Sequence, residues 1–267
     1  MRQAPRWKDE SISLQNFFNA NRALCRAIEP YLPQANPNPF VDYGETVIQH
    51  VNSRPSQIVI DIGGGKSCPF AKLVNAASNA RIVAVDISGE ELRQNREVGL
   101  RVVGNLMGEI PLASEAADII VSRSVLEHLE DVDSFMRECF RVLKAGGRTI
   151  HLLPSKYALF AILNRMLPNA VSKRLIALFH PGSAGICGFP AFYDRCYFSA
   201  MKRLFEQNGF RIVRMEVGYD QSGYYSFFLP FYLLSALYEM LVHALRLRNL
   251  GAHVLVVAEK PQHVLVK

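Results

Sequence analysis

Cysteine is scarce, and the five that occur, Cys25, Cys68, Cys139, Cys187 and Cys196, are not grouped for chemistry. No Cys-x-x-Cys pair and no cysteine–histidine grouping occurs, which excludes the common zinc spacings. An odd, scattered set does not form a disulfide framework, so a reducing cytoplasm is the expected compartment. The opening stretch, MRQAPRWKDES, has no apolar signal core. There is no internal repeat and no low-complexity tract.

Two absences are local. Residues 139–193 contain no Asp or Glu, yet they hold Arg141, Lys144, Arg148, Lys156, Arg165, Lys173 and Arg174. That local +7 exceeds the +6 of the whole chain, so the remainder is close to neutral. Residues 221–238 carry no charge at all, inside the aromatic-rich run GYYSFFLPFYLLSALYEML. The chain as a whole, 267 residues with 49% apolar and 20% charged, reads as globular and not disordered. Its length allows one large domain or two small ones.

The stretch around which the chain is organised is IVIDIGGGKSCPF, residues 58–70. Ile58, Val59, Ile60 and Ile62 flank Asp61 in a pattern that fits a strand buried on both faces. Gly63, Gly64 and Gly65 then allow a tight turn and bare main chain. Ser67 offers a helix N-cap and Pro69 suits a first helical turn. Strand, glycine turn and helix place the turn at the carboxyl end of a strand, where open α/β sheets bind ligands. The dinucleotide pattern GxGxxG fails at Cys68, and Lys66 falls too early for a Walker A loop. An ordinary tight turn remains an alternative for this motif.

Before this core, residues 11–28 and 40–51 read as helices separated by Pro30, Pro33, Pro37 and Pro39. They form either a packing pair or a lid over the ligand face. After it, residues 70–77 read as helix and RIVAVD (81–86) as a second buried strand. Ser88-Gly-Glu-Glu91 is a capping box for the next helix. Asp86 ends its strand, either as simple strand-end polarity or as an acceptor for two ribose hydroxyls. Residues 100–103, 117–122 and 148–153 read as further strands, 125–129 and 132–143 as helical, and 144–147 (KAGG) as a helix stop. Residues 198–208 then read as helix, 210–217 as strand six and HVLVVAE (253–259) as strand seven.

The segments DIGGG, AVDIS, EIPLASEAADIIVSRSVLEHL and FMRECFRVLKAGGRTIHLLP, in this order and spacing, resemble the class I S-adenosylmethionine-dependent methyltransferases. The likeness runs from about Gln57 to Pro154, within the branch that methylates small molecules, quinones and lipids. It implies an α/β, Rossmann-like sheet of seven strands in the order 3-2-1-4-5-7-6, with strand 7 antiparallel and helices on both faces. The expected division is a helical cap over 1–54 and a methyltransferase domain over 55–260, interrupted by helical insertions at 154–194 and 218–250. Carried over residue by residue, Gly63, Gly64 and Gly65 would bring main chain against the methionine part of S-adenosylmethionine. Asp61 would orient its amino group and Asp86 would bind the ribose. Ile87 would stack beside adenine, with Asn105 and Leu106 flanking it. Ser122 and Ser124 would line the space near the sulfonium. Ser67 stands where the usual motif has a third glycine, and the Asn105 loop is one residue longer than common.

Methyl transfer needs nucleophile and methyl held in line with water excluded. A hydroxyl nucleophile also needs a base, and histidine is the usual one near neutral pH. His128 and His180 are the candidates, each with a structural role as the alternative; His151, inside a strand, reads as structural. Tyr193, Asp194, Arg195 and Tyr197 either contact substrate or cap the following helix. No Asn-Pro-Pro-Tyr, no Pro-Cys and no acid cluster appears, which argues against amide or adenine N-methylation, cytosine C5 chemistry and a metal-dependent catechol site. No metal is expected.

The insertions leave two readings open. Tyr157, Phe160, Leu163 and Leu167, then Val171, Leu175 and Leu178, recur at helical spacing among basic positions. Such helices suit an anionic membrane surface or a solvated cap. The uncharged run is marginal for a membrane span, with Pro230 near its centre. It therefore reads as a cavity wall or an interfacial segment. The expected acceptor is a small or lipid-linked molecule methylated on oxygen or carbon, in the cytoplasm or on the inner membrane face. An RNA methyltransferase, for which the basic insertion would meet phosphate, and a catalytically silent binding subunit are the alternatives.

Overall fold

The computed structural model describes residues 7–32, 39–179 and 190–262, and in it the apolar run at Ile58 is a central strand of a seven-stranded sheet. The strands are β1 (Ile58–Ile62), β2 (Arg81–Asp86), β3 (Leu100–Val103), β4 (Ala117–Arg123), β5 (Leu143–Pro154), β6 (Arg211–Gly218) and β7 (His253–Glu259). Their order is β3-β2-β1-β4-β5-β7-β6. β1 to β5 pair in parallel, and β7 runs antiparallel to both β5 and β6. This is the Rossmann-like order the resemblance implies. The helices are α1 (Trp7–Ile28), α2 (Pro39–Asn52), α3 (Gly89–Gln94), α4 (Val132–Val142), α5 (Leu159–Met166), α6 (Asn169–Phe179), α7 (Phe198–Gln207) and α8 (Leu229–Ala244).

Strand residues alternate between two buried layers, as a period of two requires. Ile60, Ile62, Ile120, Val254 and Val256 pack with Phe135, Met136, Leu204 and Phe205 of α4 and α7. Val59, Val121, Ile150, Leu152 and Leu255 pack with Tyr43, Val47 and Val51 of α2 and Leu92 of α3. The second helix of the N-terminal part, α2, packs directly on the sheet. Its first turn also reaches the ligand edge of the sheet, as described below.

Two local expectations are corrected. Residues 70–77 are not an α-helix but parts of two 3-10 turns, Pro69–Leu73 and Ala76–Ser78. Ser67 caps neither; Cys68 holds the cap position of the first turn without a side-chain bond. The segment closes early because the Asn75 side chain accepts from the Ala77 amide and Asn79 takes the left-handed conformation at φ 47°. The second correction concerns Lys144 to Gly147. α4 ends at Val142, and these residues already belong to β5, entered through a register shift opposite Ala117 and Ile119. Gly146 does adopt a left-handed φ of 75°, but it serves this strand irregularity, its amide donating to the Lys260 carbonyl.

The two insertions touch each other. The Leu159 amide donates to Gln221 Oε1 at 2.8 Å, and the Phe160 ring lies 4.5 Å from that of Tyr224. The rings of Phe179 and Phe227 stack at 4.0 Å, with Phe18 of α1 edge-on to both. α8 presents Tyr232, Ser235, Ala236, Glu239 and Val242 inward. Phe231, Leu234, Leu237, Leu241 and Leu245 are exposed. Among the described residues, no helix is long and apolar enough to cross a membrane.

Candidate active site

The glycine turn leaves β1 with Gly63 at φ 73° and Gly65 at φ 26°. What a side chain would meet differs along it. A Cβ on Gly63 would lie 2.3 Å from Val125 Cγ2, and one on Gly64 would lie 2.7 Å from Ala84 Cβ. Both amides donate to the Val85 carbonyl, at 2.8 and 3.3 Å. The first two glycines are therefore demanded by close packing against the loop after β4 and against β2. At Gly65 the nearest atoms are carboxylate oxygens, Glu91 Oε2 at 3.0 Å and Asp86 Oδ2 at 3.6 Å.

Asp86 is fixed by main chain. Its Oδ2 accepts from the Gly65 amide at 3.0 Å, and its Oδ1 accepts from the Ser88 amide at 2.8 Å. Ser88 in turn caps α3 by accepting from the Glu91 amide. A carboxylate offers about four lone-pair sites. Two are used here, so the group keeps capacity for a pair of hydroxyl donors, the requirement of a ribose diol.

Asp61 is buried, and burial pushes its carboxyl up to about 7, opposed by a hydrogen bond from the Cys68 thiol and by the Arg123 charge. It lines a cleft of about 190 Å³ with Phe40, Tyr43, Gly63, Ser67 and Arg123. Two of these, Phe40 and Tyr43, come from α2, which gives the N-terminal helix its share in the site. These residues fit S-adenosylmethionine: Asp61 and the turn for the amino-acid part, Asp86 for the ribose, and Ile87, 51% exposed, for adenine. A measurable consequence is pH dependence. If Asp61 pairs with the ligand's ammonium, protonation below about pH 7 removes that pairing. The dissociation constant of S-adenosylhomocysteine should then rise by up to about tenfold per pH unit below 7 and level off above it. Calorimetry over pH 5.5–8.5 checks this, and the slope should vanish in Asp61→Asn.

Other predicted residues fall in different places. Asn105 is exposed, and its Oδ1 accepts from the Met107 amide at 3.0 Å. Leu106 joins the α4-side core with Ile110. Ser122 is 0% exposed, and its hydroxyl meets His151 Nδ1 at 2.6 Å. His151 is also held by Thr149, and burial lowers it to about 3, keeping it neutral. Ser124 is exposed, with φ 56°. Asp194 accepts from the Val132 amide at the start of α4, and no side chain caps α7.

His128 lies on a 3-10 turn, Leu126–His128, one turn beyond Val125 and its contact with Gly63. Its Nδ1 donates to the Pro190 carbonyl at 2.7 Å, which makes Nε2 the basic nitrogen of the neutral ring. His180 lies outside the described residues. The sequence reading missed Glu127, which is 4% exposed, pushed up to about 8 by burial, and 3.8 Å from His128 Nε2. The only hint was its place between Leu126 and Leu129, which the 3-10 turn directs inward. A second cleft, lined by His50, Gln57, Asp118 and Lys144, lies at the amino ends of β1 and β4, away from all of this. There Asp118 is engaged with Lys144 and the Ile58 amide.

A parallel sheet with a glycine turn, a strand-end acid held by main chain and a buried acid beside a cleft defines a nucleoside-binding α/β enzyme. The comparisons specify it. A family model described as a methyltransferase domain matches residues 60–151, which include Asp61, Asp86 and His128. The ubiquinone/menaquinone biosynthesis C-methyltransferase of Vibrio vulnificus is 28% identical over 186 residues, 65% of this chain and 68% of that protein. The malonyl-[acyl-carrier protein] O-methyltransferase of Methylococcus capsulatus is 33% identical over 106 residues, 38% of each chain. Among solved structures, the geranyl diphosphate C-methyltransferase of Streptomyces coelicolor, with S-adenosyl-L-homocysteine, superposes with a TM-score of 0.51 at 16% identity, covering 82% of this chain and 76% of that one. A Haloferax volcanii methyltransferase in complex with the Trm112 activator gives 0.55 at 14%, covering 94% and 99%. Residues 60–151 are thus a methyltransferase domain, the sheet has the fold of the S-adenosylmethionine-dependent methyltransferases, and the chain is similar to members that act on small molecules.

Proposed function

We propose that the chain methylates an oxygen or carbon nucleophile on the headgroup of a lipid-linked acceptor, and that it does so on an anionic membrane surface. When bound, S-adenosylmethionine supplies an activated methyl on a sulfonium. The protein's part is to hold the acceptor in line, exclude water and, for a hydroxyl, take a proton. His128 suits that last role, since its Pro190 contact fixes the ring with Nε2 as the basic nitrogen. His128→Ala should lower turnover on an identified hydroxyl acceptor by about 10²–10⁴-fold while S-adenosylhomocysteine still binds. A loss of less than about tenfold would leave positioning alone as the source of rate.

The observation that carries the membrane reading is the exposed face of α8. Leu234, Leu237, Leu241 and Leu245 succeed one another three or four residues apart, all more than half exposed. Phe228 joins Phe231 to Phe17 of α1 through ring contacts of 5.0 and 6.2 Å, so the apolar surface continues onto α1. Exposed Arg246 and Arg248 follow α8, and exposed Arg165, Lys173 and Arg174 lie on α5 and α6. Tyr232 of the same helix is buried, and Phe227 before it stacks on Phe179. Burying a leucine is worth about 1.5–3 kcal/mol, and a basic residue near an anionic bilayer about 1 kcal/mol. The sum suits reversible attachment weakened by salt. The protein should sediment with phosphatidylserine-containing vesicles at low salt. Leu237→Asp/Leu241→Asp and Lys156/Arg165/Lys173/Arg174→Glu variants should stay in the supernatant. Wild type remaining in the supernatant would overturn the membrane reading.

A further inference from the structure

Among the described residues, four buried side-chain atoms have no hydrogen-bond partner: Glu127 Oε2, Gln221 Nε2, Tyr225 OH and His253 Nδ1. Buried polar atoms are almost always paired, so each one needs a reason. Their location supplies it. Glu127 follows β4, and Gln221 and Tyr225 follow β6. His253 opens β7 opposite Pro154 and Gly218, the last residues of β5 and β6. All four therefore sit at the carboxyl edge of the sheet, the edge that carries the cofactor residues, and none sits in the opposite cleft.

Three of them, Gln221, Tyr225 and His253, lie in the seam where the two insertions meet. Gln221 spends its Oε1 on the Leu159 amide, and its main-chain N–H donates to Glu239 Oε1 at 3.1 Å. Ser235 donates to the same carboxylate at 3.2 Å. The Phe160 ring faces Tyr224 at 4.5 Å and His253 at 5.7 Å. Tyr193 ties Glu127 to the segment before α7, its main-chain amide donating to the Glu127 carbonyl at 3.0 Å. The seam is also weakly charged. Burial keeps His253 neutral, lowering it to about 4, and raises Glu127 to about 8 and Glu239 to about 7.

We propose that this seam is the headgroup site for the acceptor and that it takes a neutral, hydroxyl-bearing ring, a phenol or a sugar, between Gln221, Tyr225, His253 and Glu127. The proposal rests on the reading of the chain as a small-acceptor methyltransferase and deepens it. Gln221 Nε2 donates, Tyr225 donates or accepts, His253 Nδ1 does either according to its tautomer, and Glu127 Oε2 accepts. Hydroxyls complement all of these, while Phe160 and Tyr224 offer ring faces. A phosphate or carboxylate would find no cation among the unpaired atoms.

The test uses the full chain loaded with S-adenosylhomocysteine. Calorimetric titration with octyl glucoside, 4-octylphenol and octyl phosphate, each below its micelle concentration, is run on wild type and on Gln221→Met/Tyr225→Phe. Wild type should bind octyl glucoside or 4-octylphenol, whichever binds naming the source of the ring, and should discriminate against octyl phosphate. The variant should lose about tenfold or more in that affinity, since two hydrogen bonds are removed. It should retain its affinity for S-adenosylhomocysteine. Tyr225→Phe alone should melt at or above the wild-type temperature, because it removes only a hydroxyl that had no partner, whereas Gln221→Met also strips the Leu159 amide of its Oε1 acceptor. Unchanged amphiphile affinity, preference for octyl phosphate, or a clear drop in the melting temperature of Tyr225→Phe alone would each overturn the proposal. Binding of S-adenosylhomocysteine without either neutral amphiphile would overturn the seam alone; absence of both would overturn the methyltransfer reading with it. Vesicle sedimentation is an independent measurement, so the membrane reading stands or falls separately.

Discussion

Asp86→Ala is expected to weaken S-adenosylhomocysteine binding by at least about a hundredfold, the result of removing two hydrogen bonds to an ionised acceptor at about 1.5–3 kcal/mol each. The carboxylate has already been oriented before any ligand arrives. Gly65 and Ser88 hold one oxygen each, at 3.0 and 2.8 Å, so binding does not have to order the side chain. The same bonds mean that the substitution strips acceptors from two amides of the turn and of the α3 entrance. Calorimetry for affinity should therefore be paired with thermal unfolding of the unliganded protein, so that loss of the ligand contact is separated from loosening of the turn. A variant that melts like wild type and binds as tightly would remove Asp86 from the ribose site.

Much of this site was legible because it rests on short-range patterns. The run IVIDI could only be a strand buried on both faces, and AVD ended a second such strand on an acid that Ser88 follows as a cap. β7 was legible to the residue, since HVLVVAE is apolar between its two end residues and those apolar positions are covered on both faces. Where tertiary contacts decide, the pattern failed. The apolar spacing after Pro69 fits a helix, but Asn75 and Asn79 offer local hydrogen bonding and a left-handed turn that end it. The hydrogen bond between Ser122 and His151 joins two neighbouring strands, so no local spacing announces it. In α8 nearly every residue is apolar, so nothing in the sequence distinguishes the buried face from Leu237 and Leu241. Histidine was sought as the base because of its ordinary titration range. Glu127 was passed over because its shift comes from burial, which only the folded turn provides.

The last expected result concerns the turn itself. Gly63→Ala should cost about 1–2 kcal/mol for a left-handed residue and about 1–3 kcal/mol for overpacking against Val125. A total of about 2–5 kcal/mol is a large share of a typical domain's stability and corresponds to a fall in melting temperature of about 4–20 °C. Two comparisons separate the contributions. Val125→Ala removes the methyl that the new Cβ would meet at 2.3 Å, so the double variant should recover the overpacking part and keep the backbone penalty. A double-mutant cycle should then yield a favourable coupling of about 1–3 kcal/mol. Gly65→Ala should be milder, because its Cβ meets the far end of the Glu91 side chain, which can swing aside. If Gly63→Ala proves no worse than Gly65→Ala, or if Val125→Ala gives no rescue, the glycine is not there to seat the β4 loop. If the rescued double variant is folded but binds S-adenosylhomocysteine weakly, the path of the turn matters beyond its packing. The contact between Gly63 and Val125 is what holds the cofactor turn against the segment that carries Glu127 and His128.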